Sequence, residues 1–236
     1  MRDSRTLEAL ELAPVAGLYG LVEERVETRE EAAAPASTAQ PTATSATGDV
    51  ASLGWAELKQ AVRACTACGL CRHRKQAVFG VGHEAAPWLF VGEGPGADED
   101  ELGDPFVGQA GKLLDSMLAA AGLARGREVY IANVVKCRPP GNRTPTPEEA
   151  AACAPFLDRQ IELIQPKLIV ALGKTAAIRL LGTEASLASL RGRVHRYGER
   201  RVVVTYHPAY LLRTLPDKAK AWEDLAFARR VLREAA

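Results

Sequence analysis

Five cysteines hold the most distinctive chemistry this sequence offers: Cys65, Cys68, Cys71, Cys137 and Cys153. Cys65-Thr66-Ala67-Cys68 is a Cys-x-x-Cys pair, while Cys137 follows the second predicted strand and Cys153 lies early in the next predicted helix. Four thiolates converging from such distant positions suit either tetrahedral zinc or an iron–sulfur cluster, and both need the sulfur deprotonated. Cys71 extends the pair to a ferredoxin-type Cys-x-x-Cys-x-x-Cys run, so spacing alone does not choose the fourth ligand. The plainer alternative is a set of buried thiols or a redox pair. A disulfide scaffold of the secreted kind is not expected, because no signal peptide opens the chain and 236 residues can bury a core of their own.

A second group of reactive side chains sits where apolar runs end. Trp88–Gly92 runs into Gly92-Glu93-Gly94-Pro95-Gly96, Val129–Val135 contains Asn133 and leads to Lys136-Cys137-Arg138, and Arg201–Thr205 ends in Tyr206-His207-Pro208. A carboxylate, an amide and an imidazole gathered in one crevice have the makings of an active site.

The elements that must bring them together follow from periodicity. Short β-branched runs at Trp88–Gly92, Val129–Val135, Leu168–Leu172 and Arg201–Thr205 read as strands buried on both faces. They alternate with helices expected over Trp55–Ala64, Gly108–Ala121, Pro147–Ile164, Lys174–Leu181 and Asp217–Glu234. Thr146 as N-cap, Pro147 in the first helical position and the acids Glu148 and Glu149 mark one helix start clearly. The pattern predicts an α/β fold, a three-layer α/β/α sandwich around a four-stranded, mainly parallel sheet. In such sheets ligands bind beyond the C-terminal ends of the strands, where the motifs above lie. This domain is assigned to residues 53–236; residues 1–31 form an N-terminal extension with a candidate amphipathic helix, and the Ala, Thr, Ser and Pro-rich stretch 32–52 reads as a flexible linker.

Net charge is +1, unevenly spread. Residues 1–50 carry four Arg against nine Asp and Glu, whereas residues 190–236 carry eleven Lys and Arg against five acids. A basic C-terminal face would suit a phosphate backbone, and a solvated helix surface explains the same count. No apolar run approaches bilayer length, so no membrane association and a cytoplasmic location are expected.

Taken in order, Gly92-Glu93-Gly94-Pro95-Gly96 with Glu99-Asp100, Pro105-Phe106-Val107-Gly108, Asn133-Val134-Val135-Lys136-Cys137-Arg138-Pro139-Pro140 and His207-Pro208-Ala209-Tyr210-Leu211-Leu212 resemble the motifs of the family 4 uracil-DNA glycosylases. The resemblance covers about residues 60–232. It implies a 4Fe-4S cluster on Cys65, Cys68, Cys137 and Cys153, with Cys71 as an extra thiol, and a DNA-repair enzyme that hydrolyses the N-glycosidic bond of uracil and leaves an abasic site. Such chemistry requires the nucleotide to be turned out of the stack.

By the same resemblance Phe106 stacks on the extruded uracil and Asn133 reads its edge, since an amide offers a donor for O4 and an acceptor for N3–H. Gly92 and Gly94 let the backbone approach the base. His207 is implied as the donor to uracil O2, and Glu93 and Glu99 as carboxylates beside the sugar. Tyr210, Leu211 or Leu212 is the expected wedge into the duplex, and Arg191, Arg193 and Arg213 are candidate phosphate contacts. The stretch Pro139–Thr144 lacks the basic, His-ending insertion of a covalently trapped subclass, so ordinary turnover is expected. The implied partner is uracil-containing DNA, bound by a monomer, with the N-terminal extension available to dock a replication or repair partner. Two rivals remain at this stage: a non-catalytic nucleic-acid-binding module with a structural metal site, and an electron-transfer protein.

Overall fold

The computed structural model describes residues 50–234. The expectations for residues 1–49, including the N-terminal helix and most of the linker, lie outside the described residues. Val50–Ser52, assigned to the linker, forms a 3-10 turn instead. Arg159 fixes the adjoining segment by donating from Nε to the Leu53 carbonyl at 2.7 Å.

The strands are β1 (Val81–Gly82), β2 (Trp88–Gly92), β3 (Val129–Asn133), β4 (Leu168–Leu172), β5 (His195–Tyr197) and β6 (Arg200–Thr205). They form one six-stranded sheet in the order β1-β3-β2-β4-β6-β5. The inner four are parallel and β1 and β5 close the edges antiparallel, so the sheet has two strands more than predicted. Neither edge strand shows an apolar run. β1 is two residues long and ends in a glycine, and β5 is His-Arg-Tyr with its middle residue exposed.

Alternation along each inner strand sends its side chains to two cores. Leu89, Val91, Tyr130, Ala132, Ile169 and Val202 face the helices α1 (Trp55–Ala64), α4 (Pro147–Ile164) and α5 (Lys174–Leu181). Trp88, Phe90, Ile131, Val170 and Val203 face α3 (Gln109–Ala120) and α8 (Asp217–Arg233). These are the three layers expected. Short helices α2 (Ala97–Leu102), α6 (Leu187–Leu190) and α7 (Pro208–Leu211) were not foreseen, being a turn or so each. The α4 start is as predicted: Thr146 Oγ1 accepts from the Glu149 amide at 3.3 Å and Glu149 Oε2 accepts from the Thr146 amide at 2.8 Å.

Register decides what meets at the strand ends. Gly92 pairs with Asn133, and Leu172 with Thr205, so the three motifs emerge side by side. β3 stops two residues earlier than predicted: the Val134 and Val135 amides still donate to the Gly92 and Glu93 carbonyls at 3.0 and 3.2 Å, whereas the Lys136 amide turns to Cys153 Sγ at 3.3 Å and its carbonyl accepts from Val78 at 2.8 Å. Among the described residues no helix is long and apolar enough to cross a membrane.

Candidate active site

A cavity of about 550 Å³ opens beyond these strand ends, lined among others by Glu93, Glu99, Phe106, Asn133, His207 and Arg213. Its floor depends on Gly92. A Cβ there would lie 2.4 Å from Asn133 Oδ1 and 2.6 Å from Phe106 Cζ, so only glycine lets amide and ring meet over the strand end. Gly94 is similarly confined, with Val135 Cγ2 2.8 Å from where its Cβ would be.

Asn133 is 2% exposed, and among the described residues its Oδ1 has no hydrogen-bond partner. Leaving a buried acceptor unpaired costs about 1–3 kcal/mol, a penalty that a ligand N–H entering the cavity would remove. Phe106 is buried and adopts φ 57°, a left-handed conformation rare for an aromatic residue. Its ring lies 5.5 Å from the His207 ring, tilted by 32°.

His207 caps α7. Its Nδ1 accepts from the Ala209 amide at 3.2 Å, which places the proton of a neutral ring on Nε2. Loss of surrounding water pushes the imidazole pKa down to about 4, with Arg213 acting in the same direction and Glu99 opposing. At neutral pH the ring is therefore an uncharged N–H donor.

The two acidic candidates are built differently. Glu93 Oε2 accepts from the Thr175 hydroxyl, and among the described residues no hydrogen bond takes its other oxygen. Glu99 has both oxygens taken by backbone: Oε1 accepts from Val107 and Gly108 at 2.9 and 3.0 Å, and Oε2 from Gly96 at 3.0 Å. Glu99, expected as a second carboxylate beside the sugar, lines the cavity and also braces the loop, with three amides on its two oxygens.

The expected DNA-facing residues separate in the same way. Arg213 is exposed at the cavity mouth and Arg193 is exposed away from it. Arg191 is not a free cation: Nε donates to Asp224 at 2.6 Å, Nη2 to the Lys220 carbonyl at 2.7 Å, and the guanidinium stacks 4.6 Å above Tyr206. Tyr206 stacks in turn on Tyr210, whose hydroxyl donates to Asp217 at 2.6 Å. Arg191 thus braces the segment carrying His207. Leu211 is fully buried and is corrected from wedge to core, while Leu212 and Leu215 are 41% and 59% exposed. Sequence reasoning passed over Thr175, Gly111, Arg125 and Leu215; the only sequence signal was the glycine in a helix first turn.

All five cysteines line one narrow second cavity with Arg74 and Lys136. N–H groups point at the sulfurs: Arg74 Nη1 to Cys137 at 2.9 Å, the Lys136 amide to Cys153 at 3.3 Å and the Ala67 amide to Cys65 at 3.4 Å. Burial pushes the Cys153 thiol up to about 11 and Cys137 in the same direction, so without a bound metal both stay protonated. Among the described residues no three His, Cys, Asp or Glu side chains are gathered closely enough for a single metal ion. A donor set of soft thiols ringed by N–H groups fits a larger, sulfur-bridged group. The buried Lys136 links the two cavities, its ammonium donating to the Asn133 carbonyl at 2.9 Å and to Gln160 at 2.6 Å.

Comparison with known proteins adds an independent line. The family model described as the uracil DNA glycosylase superfamily matches residues 79–226. The type-4 uracil-DNA glycosylase of Thermotoga maritima is 46% identical over 181 residues, covering 75% of this chain and 94% of its own. That of Archaeoglobus fulgidus is 46% identical over 164 residues, 66% and 82% of the two chains, and that of Sulfurisphaera tokodaii 46% over 177 residues, 71% and 80%.

Proposed function

From the premise that this chain belongs to the uracil-DNA glycosylase superfamily, in its type-4 branch, we propose how its cavity excises uracil. The protein is a DNA-repair glycosylase that releases uracil from DNA. The observation that carries the residue assignment is the unpaired Oδ1 of Asn133 on the wall of a cavity also lined by Phe106 and His207.

A uracil turned out of the helix stacks on Phe106 and offers N3–H to that orphan acceptor while its O4 accepts from Nδ2. Cytosine presents a lone pair at N3 and an amine at C4, so it meets acceptor with acceptor and donor with donor. A buried mismatch of that kind discriminates strongly. As the C1′–N1 bond breaks, its electron pair passes to uracil and spreads onto O2, where the Nε2–H of neutral His207 donates. The sugar becomes cationic. Glu93, oriented by Thr175, faces that charge and steers water onto C1′, whose hydroxyl oxygen stays on the sugar and whose proton ends on the departing base.

Glu99 holds the Phe106 loop by its amides. Arg213 at the mouth and Arg193 beyond it contact phosphates, and Tyr210 and exposed Leu212 border the gap left by the base. Cys65, Cys68, Cys137 and Cys153 would hold a 4Fe-4S cluster, with Cys71 beside them on the same cavity. Holding it there, these residues would tie the 65–72 segment to the end of β3 and to α4, and the group would supply structure and not bond cleavage. The short Pro139–Thr144 loop carries no histidine, so turnover leaves no covalent adduct.

The test is an oligonucleotide with one uracil, scored for alkali-labile abasic product. Asn133→Ala is expected to lose roughly 100-fold or more in kcat/KM while keeping the iron content of the parent protein. Wild-type rates in that variant would refute the assignment.

A further inference from the structure

Phe106 occupies a backbone conformation that its own side chain disfavours, so something outside it must impose the shape. Three neighbours do so. Glu99 takes the amides that follow it, at Val107 and Gly108. Gly111, in the first turn of α3, leaves room for the Phe106 carbonyl, since a Cβ there would lie 1.8 Å from that oxygen. Arg125 takes the other side: Nη1 donates to the Pro105 carbonyl at 2.7 Å and Nη2 to the Phe106 carbonyl at 2.8 Å.

The left-handed turn at Phe106 is what brings two consecutive carbonyls onto one guanidinium. Asp115 on α3 fixes the far side of that guanidinium, accepting from Nε at 3.1 Å and from Nη2 at 2.9 Å. Arg125 is itself anchored beside the sheet by a bridge to Val129 at the start of β3. The fork is planar and preset; a lysine could satisfy one carbonyl at a time. Arg125 does not line the cavity.

We infer that Arg125 is a positioning residue for base recognition, acting through Phe106 by holding the Pro105–Phe106 carbonyls so that the ring stays seated between Gly92 and His207. The inference rests on the reading of Phe106 as the stacking platform. It explains why a partly buried arginine, already paired with Asp115, also spends two donors on neutral carbonyls.

A double-mutant cycle on the full chain tests it, using Phe106→Ala, Arg125→Met and the pair, with kcat/KM on a single-uracil oligonucleotide and inhibition by free uracil as readouts. Arg125→Met is expected to lower kcat/KM by roughly tenfold or more and to weaken free-uracil inhibition in parallel, while the double variant is no worse than Phe106→Ala alone. Arg125→Lys should recover part of the loss; should Arg125→Met not fold, Arg125→Lys and Asp115→Asn take its place, with smaller losses of the same sign. A melting temperature that falls while uracil inhibition stays at the parental value would overturn the inference, as would losses that multiply in the double variant. Parental kinetics in Phe106→Ala would instead remove the platform reading, and this inference with it.

Discussion

His207 gives the sharpest consequence at the scale of single residues. Its pKa near 4 in the folded protein lies below the ordinary 6.5, so the ring is uncharged through the neutral range. Activity should therefore show no titration step at the ordinary histidine pH and should fall only on approach to pH 4, which a pH–rate profile of parent against His207→Gln would reveal. Stability moves as well. Below pH 6.5 the unfolded chain takes up a proton that the folded ring refuses, so this residue lowers stability as pH drops from 6.5 towards 4, by on the order of 3 kcal/mol at full extent. Chemical denaturation at pH 7 and pH 4.5 should show a deficit that His207→Gln relieves. Where a motif fixed the residues, as with Phe106, Asn133 and His207, the sequence foresaw that they would gather, and they line one cavity; where only residue type spoke, it said nothing of exposure. Arg191 looked like a phosphate contact because exposure cannot be read from an arginine, and Asp224, which binds it, lies 33 positions away. Leu211 and Leu212 differ by one position on a single helical turn, and only packing says which faces inward.

At the scale of elements, the β2–α3 connection is organised by small residues. Gly92 closes the strand and Gly111 opens the helix, and each gives up a side chain to let Phe106 fit. Gly92→Ala should fold, since its backbone is ordinary, yet lose uracil release by roughly 100-fold because the new methyl occupies the space of the amide and ring. Parental activity in Gly92→Ala, measured on the same oligonucleotide, would contradict this geometry. The inner strands and long helices were legible because burial imposes continuous or periodic apolar patterns on them. β1 and β5 were not, since an edge pair of two or three half-buried residues needs no such pattern. α2 escaped notice for the same reason: it is six residues long and mostly acidic, and it exists to present Glu99 to the loop at residues 106–108.

For the molecule as a whole, two cavities share one scaffold. Lys136 joins them, and its partner Gln160 donates in turn from Nε2 to the Phe79 carbonyl at 2.9 Å. The convergence of four thiols was legible from spacing, whereas the choice of the fourth was not, because Cys68 and Cys71 sit three residues apart on the same turn and all five thiols reach one cavity. Cys153→Ser should lose iron and Cys71→Ser should retain it. Since a ligand held a thousandfold above its Kd contributes about 4 kcal/mol, the melting temperature of Cys153→Ser should drop by roughly 8–16 °C. Equal iron in both variants would reassign the fourth ligand.

The positions of those thiols also bear on the order of biosynthesis. Cys153 leaves the ribosome well before Leu168, Arg200 and His207 do, so the sulfur quartet is chemically complete while the imidazole side of the pocket has yet to be translated. On the proposed cluster reading, iron loading of a nascent chain that holds β1, β2, β3 and the start of α4 would leave β2 as a finished edge on which the later strands add.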